Sequence, residues 1–180
     1  MRIVLAAALA ALVALPAAAR PLSPAEAEAM QRSLDSYLRS ITAGNAEKIV
    51  GALPPRILNV FAGASGIESK QLESTLVEQT KDLMKGTKYR NVTANLEALD
   101  AEDSALGDGT EATWVLIPTA FTTVSKGKKT RHQQPLLAVS EGESWHFLRI
   151  DGPERQQLAA IAYPFLADKS FPPATTAAVE

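Results

Sequence analysis

Asp151, His146 and Tyr37 are the residues of this chain whose types and settings could carry acid–base chemistry. A carboxyl at a strand end, an imidazole on a strand or a phenol on a helix can each move a proton once an apolar pocket has shifted its pKa. Each also has a plainer use. Asp151 precedes Gly152-Pro153-Glu154 and reads as the N-cap of a helix. His146 shares a strand face with Leu148 and Ile150, which suits a sheet residue with a hydrogen-bonded ring. No catalytic residue is therefore assigned. Cysteine is absent, and the two histidines, His132 and His146, lie on separate predicted strands without a carboxylate cluster, so neither a metal nor a cofactor is expected. The chain carries no Gly-x-Ser-x-Gly nucleophile motif and no phosphate loop.

Two other motifs read as surface. Lys126, Lys128, Lys129 and Arg131 lead into His132 at a hairpin, which makes a solvated strand end that resists edge pairing, with an anion-binding tip as the alternative. Asn91-Val92-Thr93 matches a glycosylation acceptor, but the alanine-rich N-terminus looks bacterial, where that match carries no consequence. Binding is the better-supplied chemistry: Tyr37, Tyr89, Trp114, Phe121 and Trp145 are the candidates for lining a pocket between helices and sheet, with core packing as each one's default.

The elements that must position these residues fall into two halves. Ser23-Pro24-Ala25-Glu26 forms a capping box with proline in the first turn, and Met30, Leu34, Tyr37, Leu38 and Ile41 then repeat at helical spacing up to Gly44. Asn45 caps a short second helix over 46–53, Pro54-Pro55 breaks it, and a further turn or two runs through Ile57, Leu58 and Phe61. A third long helix spans about 67–85 on Leu72, Leu76, Val77, Leu83 and Met84. Beyond Thr87 the period changes to two, and four antiparallel strands are predicted at 89–100, 112–124, 130–140 and 144–151. Pro118 and Pro135 lie inside two of them and predict bulges or bends. A short helix with Leu158, Ile161, Ala162 and Phe165 follows, and a Pro-, Ala- and Thr-rich tail from about Ser170 is expected to be disordered.

Compartment is read from the first residues. Met1-Arg2, an apolar run from Ile3 to Leu15 and Ala17-Ala18-Ala19 form a Sec-type signal peptide with cleavage after Ala19, so a periplasmic or secreted location is expected. The run is shorter than the roughly 20 residues of a membrane span, and without cysteine there is no lipid-attachment site, so no membrane anchor is expected. Removing Arg2 leaves 17 basic against 20 acidic residues, a balance that argues against nucleic acid as a partner. The remainder is read as one domain over 20–169 with its tail at 170–180.

Helices with a broken second element, a Gly44-Asn45 junction and a curved antiparallel meander ending in Gly142-Glu143-Ser144-Trp145-His146-Phe147 resemble the cone-shaped superfamily of nuclear transport factor 2 and ketosteroid isomerase. The resemblance implies an α+β fold in which N-terminal helices pack in a strongly curved antiparallel sheet, a cystatin-like roll with a deep pocket at one end. Members of that superfamily include isomerases, dehydratases, transport factors and non-catalytic binding modules, so the fold names no reaction. The family's buried Asp, Tyr or His pair has no match here residue by residue. The reading is an exported, non-enzymatic module holding a small apolar ligand in its pocket or a protein on its sheet. A lyase or isomerase in the same pocket, or a structural partner protein with a filled pocket, are the alternatives. Because the last strand is apolar on both sides, its second face is expected to lie under the C-terminal helix or a partner, and a homodimer through the sheet is the expected assembly.

Overall fold

The computed structural model describes residues 19–179. The leader expected over 1–19 falls, apart from Ala19, outside the described residues. Helix α1 (Pro24–Ala43) begins as its sequence dictates. The Glu26 backbone N–H donates to Ser23 Oγ, and the Glu26 carboxylate accepts the Ser23 N–H at 2.7 Å. Gly44 ends the helix in the left-handed conformation, φ 69°, where a side chain would be strained. Just before the cap, Arg20 and Pro21 form the short strand β1. The Arg20 guanidinium forks between Glu26, at 2.8 and 2.9 Å, and Asp103, at 2.5 and 2.9 Å. One side chain thus ties the start of α1 to the sheet.

Helices α2 (Ala46–Gly51), α3 (Pro55–Ser65) and α4 (Ser69–Met84) follow. Asn45 caps α2 through its side-chain oxygen, as expected, while α3 runs longer than the one or two turns predicted. A proline in its first turn starts it without losing a needed donor, and Gly66, φ 64°, closes it.

The antiparallel sheet contains seven strands among the described residues and does not close on itself. Besides β1 they are β2 (Thr87–Ala94), β3 (Asp100–Ala105), β4 (Glu111–Ser125), β5 (Lys128–Glu141), β6 (Ser144–Arg149) and β7 (Thr175–Val179). The single strand predicted at 89–100 is in fact β2 and a turn leading to β3. Asn95 accepts the Glu97 N–H with its side chain, and Ala98 takes φ 52°, so the chain reverses there despite its apolar alternation. Both strands then pair with β4, β3 along its first part and β2 along its second. On the other side β5 is shared likewise, β6 taking Leu136 to Glu141 and β7 taking Lys129 to Gln133.

The bulges expected at Pro118 and Pro135 do not occur. The β4–β5 register runs unbroken from Thr113↔Ser140 to Ser125↔Lys128, with the two prolines opposite each other, and the register shift lies in β2 between Arg90 and Thr93. The tail expected to be disordered also departs from its reading, because Thr175–Val179 form β7. Small and β-branched residues there fill the part of the β5 edge that β6 leaves uncovered.

Helices cover both faces of the β4–β5–β6 region. On one face Met30, Leu34, Tyr37 and Ile41 of α1 meet Val115, Ile117, Leu136, Ala138, Trp145 and Phe147. On the other, Ile57 of α3, Ala159 and Ala162 of α5 (Pro153–Ala162), and Tyr163 and Leu166 meet Trp114, Leu137, Val139, Leu148 and Ile150. Burying a leucine or isoleucine in either layer contributes about 1.5–3 kcal/mol. The apolarity of both faces of β6 is therefore accounted for within the chain, with α5 on the second face. The outer edge of β6 is also engaged at one point, where the Phe147 N–H donates to the Ala52 carbonyl at 2.7 Å.

Candidate functional site

Helix α4 carries an apolar stripe but buries only Leu72; Leu76, Val77 and Met84 are half-buried and Leu83 is 76% exposed. The helix packs on α2 and α3, but the later part of its stripe borders a cavity of about 160 Å³ instead of a filled core. Tyr37 and Ile41 of α1, Ile49 and Val50 of α2, and Ile57 and Phe61 of α3 form its inner wall. Leu76, Thr80 and Met84 of α4 form the outer wall, with Tyr89, Leu148, Arg149 and Arg155 on the sheet side.

Tyr37 stacks on Phe147 with ring centroids 5.2 Å apart, which fixes the phenol in the wall. Its hydroxyl has no hydrogen-bond partner among the described residues. Burial pushes its pKa up, and the nearby Arg149 and Arg155 guanidiniums draw it back. Arg149 ends β6 in the same row as Trp145 and Phe147, with its guanidinium 5.8 Å from the centre of the Phe121 ring. Arg155 comes from the first turn of α5. Asp151 stands between them, 4.0 Å from each, too far for a hydrogen bond.

The expected N-cap role of Asp151 is not realised: Gly152 occupies that position and no side chain caps the helix. Asp151 instead lies half-exposed between the two arginines. His146 is on the opposite face of β6 from Arg149, near Glu141. Its Nδ1 is buried without a partner; burial holds the imidazole pKa below its ordinary value, with Glu141 and a hydrogen bond between the ring and the Leu53 backbone pulling the other way. His146 is thus kept apart from the other two; Asp151 lies close enough for its charge to act on the Tyr37 phenol, and of the three only Tyr37 lines the cavity.

Comparison with protein-family models, curated proteins and solved structures finds no match for this chain.

Of the aromatic candidates, Tyr37 and Tyr89 line the cavity, and Phe121 stands behind Tyr89 at 5.6 Å. Phe121 is stacked on His132 at 4.7 Å, and His132 Nε2 lies 2.9 Å from the Thr123 hydroxyl, so His132 sits in an aromatic row rather than at a solvated strand tip. Burial, and Arg149 beyond the ring, hold its pKa down. Trp114 belongs to the core under α5, donating to Ser104 Oγ at 3.2 Å, and Trp145 to the core under α1.

A second polar cluster joins α3 to the far end of the sheet. Glu141 accepts from Arg56 Nε at 2.7 Å and from the Tyr163 hydroxyl at 2.5 Å, while Arg56 also pairs with Asp108. Every member has an internal partner, so the cluster reads as a fastening between elements. Among the described residues no group of three or more His, Asp or Glu could hold a metal ion.

Arg149 and Arg155 escaped the sequence reading although both leave a signal. A charge third in the apolar row Trp145, Phe147, Arg149 is out of pattern, and a cation in the first turn of a helix opposes the macrodipole.

Proposed function

We propose that this protein is an exported, non-catalytic binding module that holds a small apolar ligand in the cavity between α4 and the body of the fold. The observation that carries the reading is a largely apolar, aromatic-walled cavity left unfilled by the chain's own side chains, with the Tyr37 hydroxyl, which has no partner among the described residues, in its wall beside those of Thr80 and Tyr89. Ligand sites have this make-up, mostly apolar surface with a few placed polar groups. A catalytic reading needs a carboxyl or imidazole beside the phenols of Tyr37 and Tyr89, and neither a carboxylate nor a histidine lines the cavity. The α+β order of helices followed by an antiparallel meander supports kinship with the cone-shaped nuclear transport factor 2 and ketosteroid isomerase superfamily, and the apolar leader supports export.

Native mass spectrometry of the protein purified from its own periplasm or medium tests this. A retained small molecule that leaves on mild activation is the expected result. Repeated isolation without ligand, together with failure of toluene and related probes to bind, overturns the reading in favour of a filled or collapsed pocket.

A further inference from the structure

We propose that the ligand is a small monocarboxylate, one ring or about six carbons in size, whose head is clamped by Arg149 and Arg155 and whose apolar body fills the cavity. This deepens the binding-module reading and rests on it. Two guanidiniums line a cavity whose remaining lining residues are uncharged, and neither makes a hydrogen bond among the described residues. Their donors are planar forks that match a carboxylate two bonds at a time. The Tyr37 hydroxyl, unpartnered and within the field of both arginines, supplies a third donor.

Charge narrows the class. Two arginines against Asp151 leave a single uncompensated positive charge at the rim, which suits a monoanion. A phosphate dianion would bring an excess negative charge beside Asp151. Size narrows it further, since the cavity of about 160 Å³ is close to the roughly 150 Å³ of an engineered apolar cavity that takes up benzene. The aliphatic wall of Ile41, Ile49, Val50 and Ile57 and the rings of Phe61 and Tyr89 suit a hydrocarbon body.

Calorimetric titration of the mature protein with phenylacetate and with its neutral isostere phenylacetamide tests the proposal, with toluene as the probe of the cavity alone. The expected result is that the acid binds at least tenfold more tightly than the amide, and that R149Q and R155Q each shrink this preference while toluene binding persists. Equal affinity for acid and amide, or toluene binding without phenylacetate binding, overturns the carboxylate proposal and leaves the ligand pocket standing. Failure of all three probes overturns both. The acid–amide comparison on the unaltered protein decides even where a variant does not fold.

Discussion

Pro118 and Pro135 face each other across β4 and β5, each with its carbonyl turned away from the other strand: Pro118 O accepts from Asn95 N–H at 2.9 Å and Pro135 O from Ile150 N–H at 3.0 Å. In an antiparallel ladder that orientation belongs to a non-hydrogen-bonded pair, whose N–H groups also point outward. Neither missing donor is needed by the β4–β5 ladder. On their outer sides the prolines stand where β3 gives way to β2 and β6 to β7, so no ladder bond is lost there either.

Moving the proline by one residue therefore has a very different cost from removing it. Gln134 faces Thr119 in the adjacent, hydrogen-bonded rung. Gln134→Pro deletes a donor inside the sheet and leaves its acceptor unpaired, so it is expected to destabilise by about 1–3 kcal/mol. Pro135→Ala changes mainly the unfolded chain and should cost about 0.4–1 kcal/mol. Urea unfolding of the two variants checks this, and comparable losses would show that the pair is not in the outward-facing register.

The Arg20 fork predicts an acid-sensitive anchor. Hydrogen bonds from Arg20 and Ser23 hold the Glu26 carboxyl down at about 2, and Arg20 also lowers that of Asp103. For a depressed carboxyl the stabilisation is fully present above its unfolded pKa of about 4.3 and is lost as pH falls toward the folded value. Stability should thus decline between about pH 4.5 and 2, by on the order of 1 kcal/mol for this half-exposed group after solvent screening. Arg20→Ala should remove most of that pH dependence and loosen the first turn of α1. Thermal melts across this range at low and high salt measure it, and a slope unchanged in the variant would place the acid sensitivity elsewhere.

Tyr37 and Tyr163 predict the alkaline side. Burial raises both phenols, and the hydrogen bond to Glu141 raises Tyr163 further, so both keep their protons in the folded protein. A raised pKa contributes stability that is fully present below the unfolded value of about 10 and is lost as pH rises above it. Phenolate absorbance from these two residues should therefore appear only together with loss of the folded circular dichroism signal. Ionisation of all tyrosines ahead of unfolding would contradict the burial of Tyr163.

What the sequence made legible is what local chemistry decides alone. The capping box at Ser23 and Glu26, the Asn45 cap and the apolar row of α1 are short-range patterns, and each stands where it was read. So does the two-sided character of β6, because Trp145 and Phe147 must point opposite to Leu148 and Ile150. Strand β3 was hidden because Asp-Ala-Glu-Asp-Ser-Ala has little strand propensity; it pairs because β1 and β4 flank it and Arg20 and Thr113 hold Asp103. Strand β7 was hidden for a related reason, since an edge 42 to 50 residues earlier in β5 gives it its partner. The cavity could not be read from α4 at all: a stripe facing a void and a stripe facing a core have the same period.

Tyr37→Phe separates the two roles of that wall residue. The ring stacked on Phe147 stays, and the hydroxyl that is lost has no partner among the described residues, so folding stability should change by less than about 0.5 kcal/mol or rise slightly. A ligand whose head accepts from that hydroxyl loses a charge-assisted bond, for which about 1.5–3 kcal/mol, or roughly ten- to a hundredfold in affinity, is the expected cost. A melt and a phenylacetate titration of the same preparation read both quantities. Loss of stability with unchanged affinity would assign the hydroxyl a structural partner; unchanged stability with weakened binding places it on the ligand.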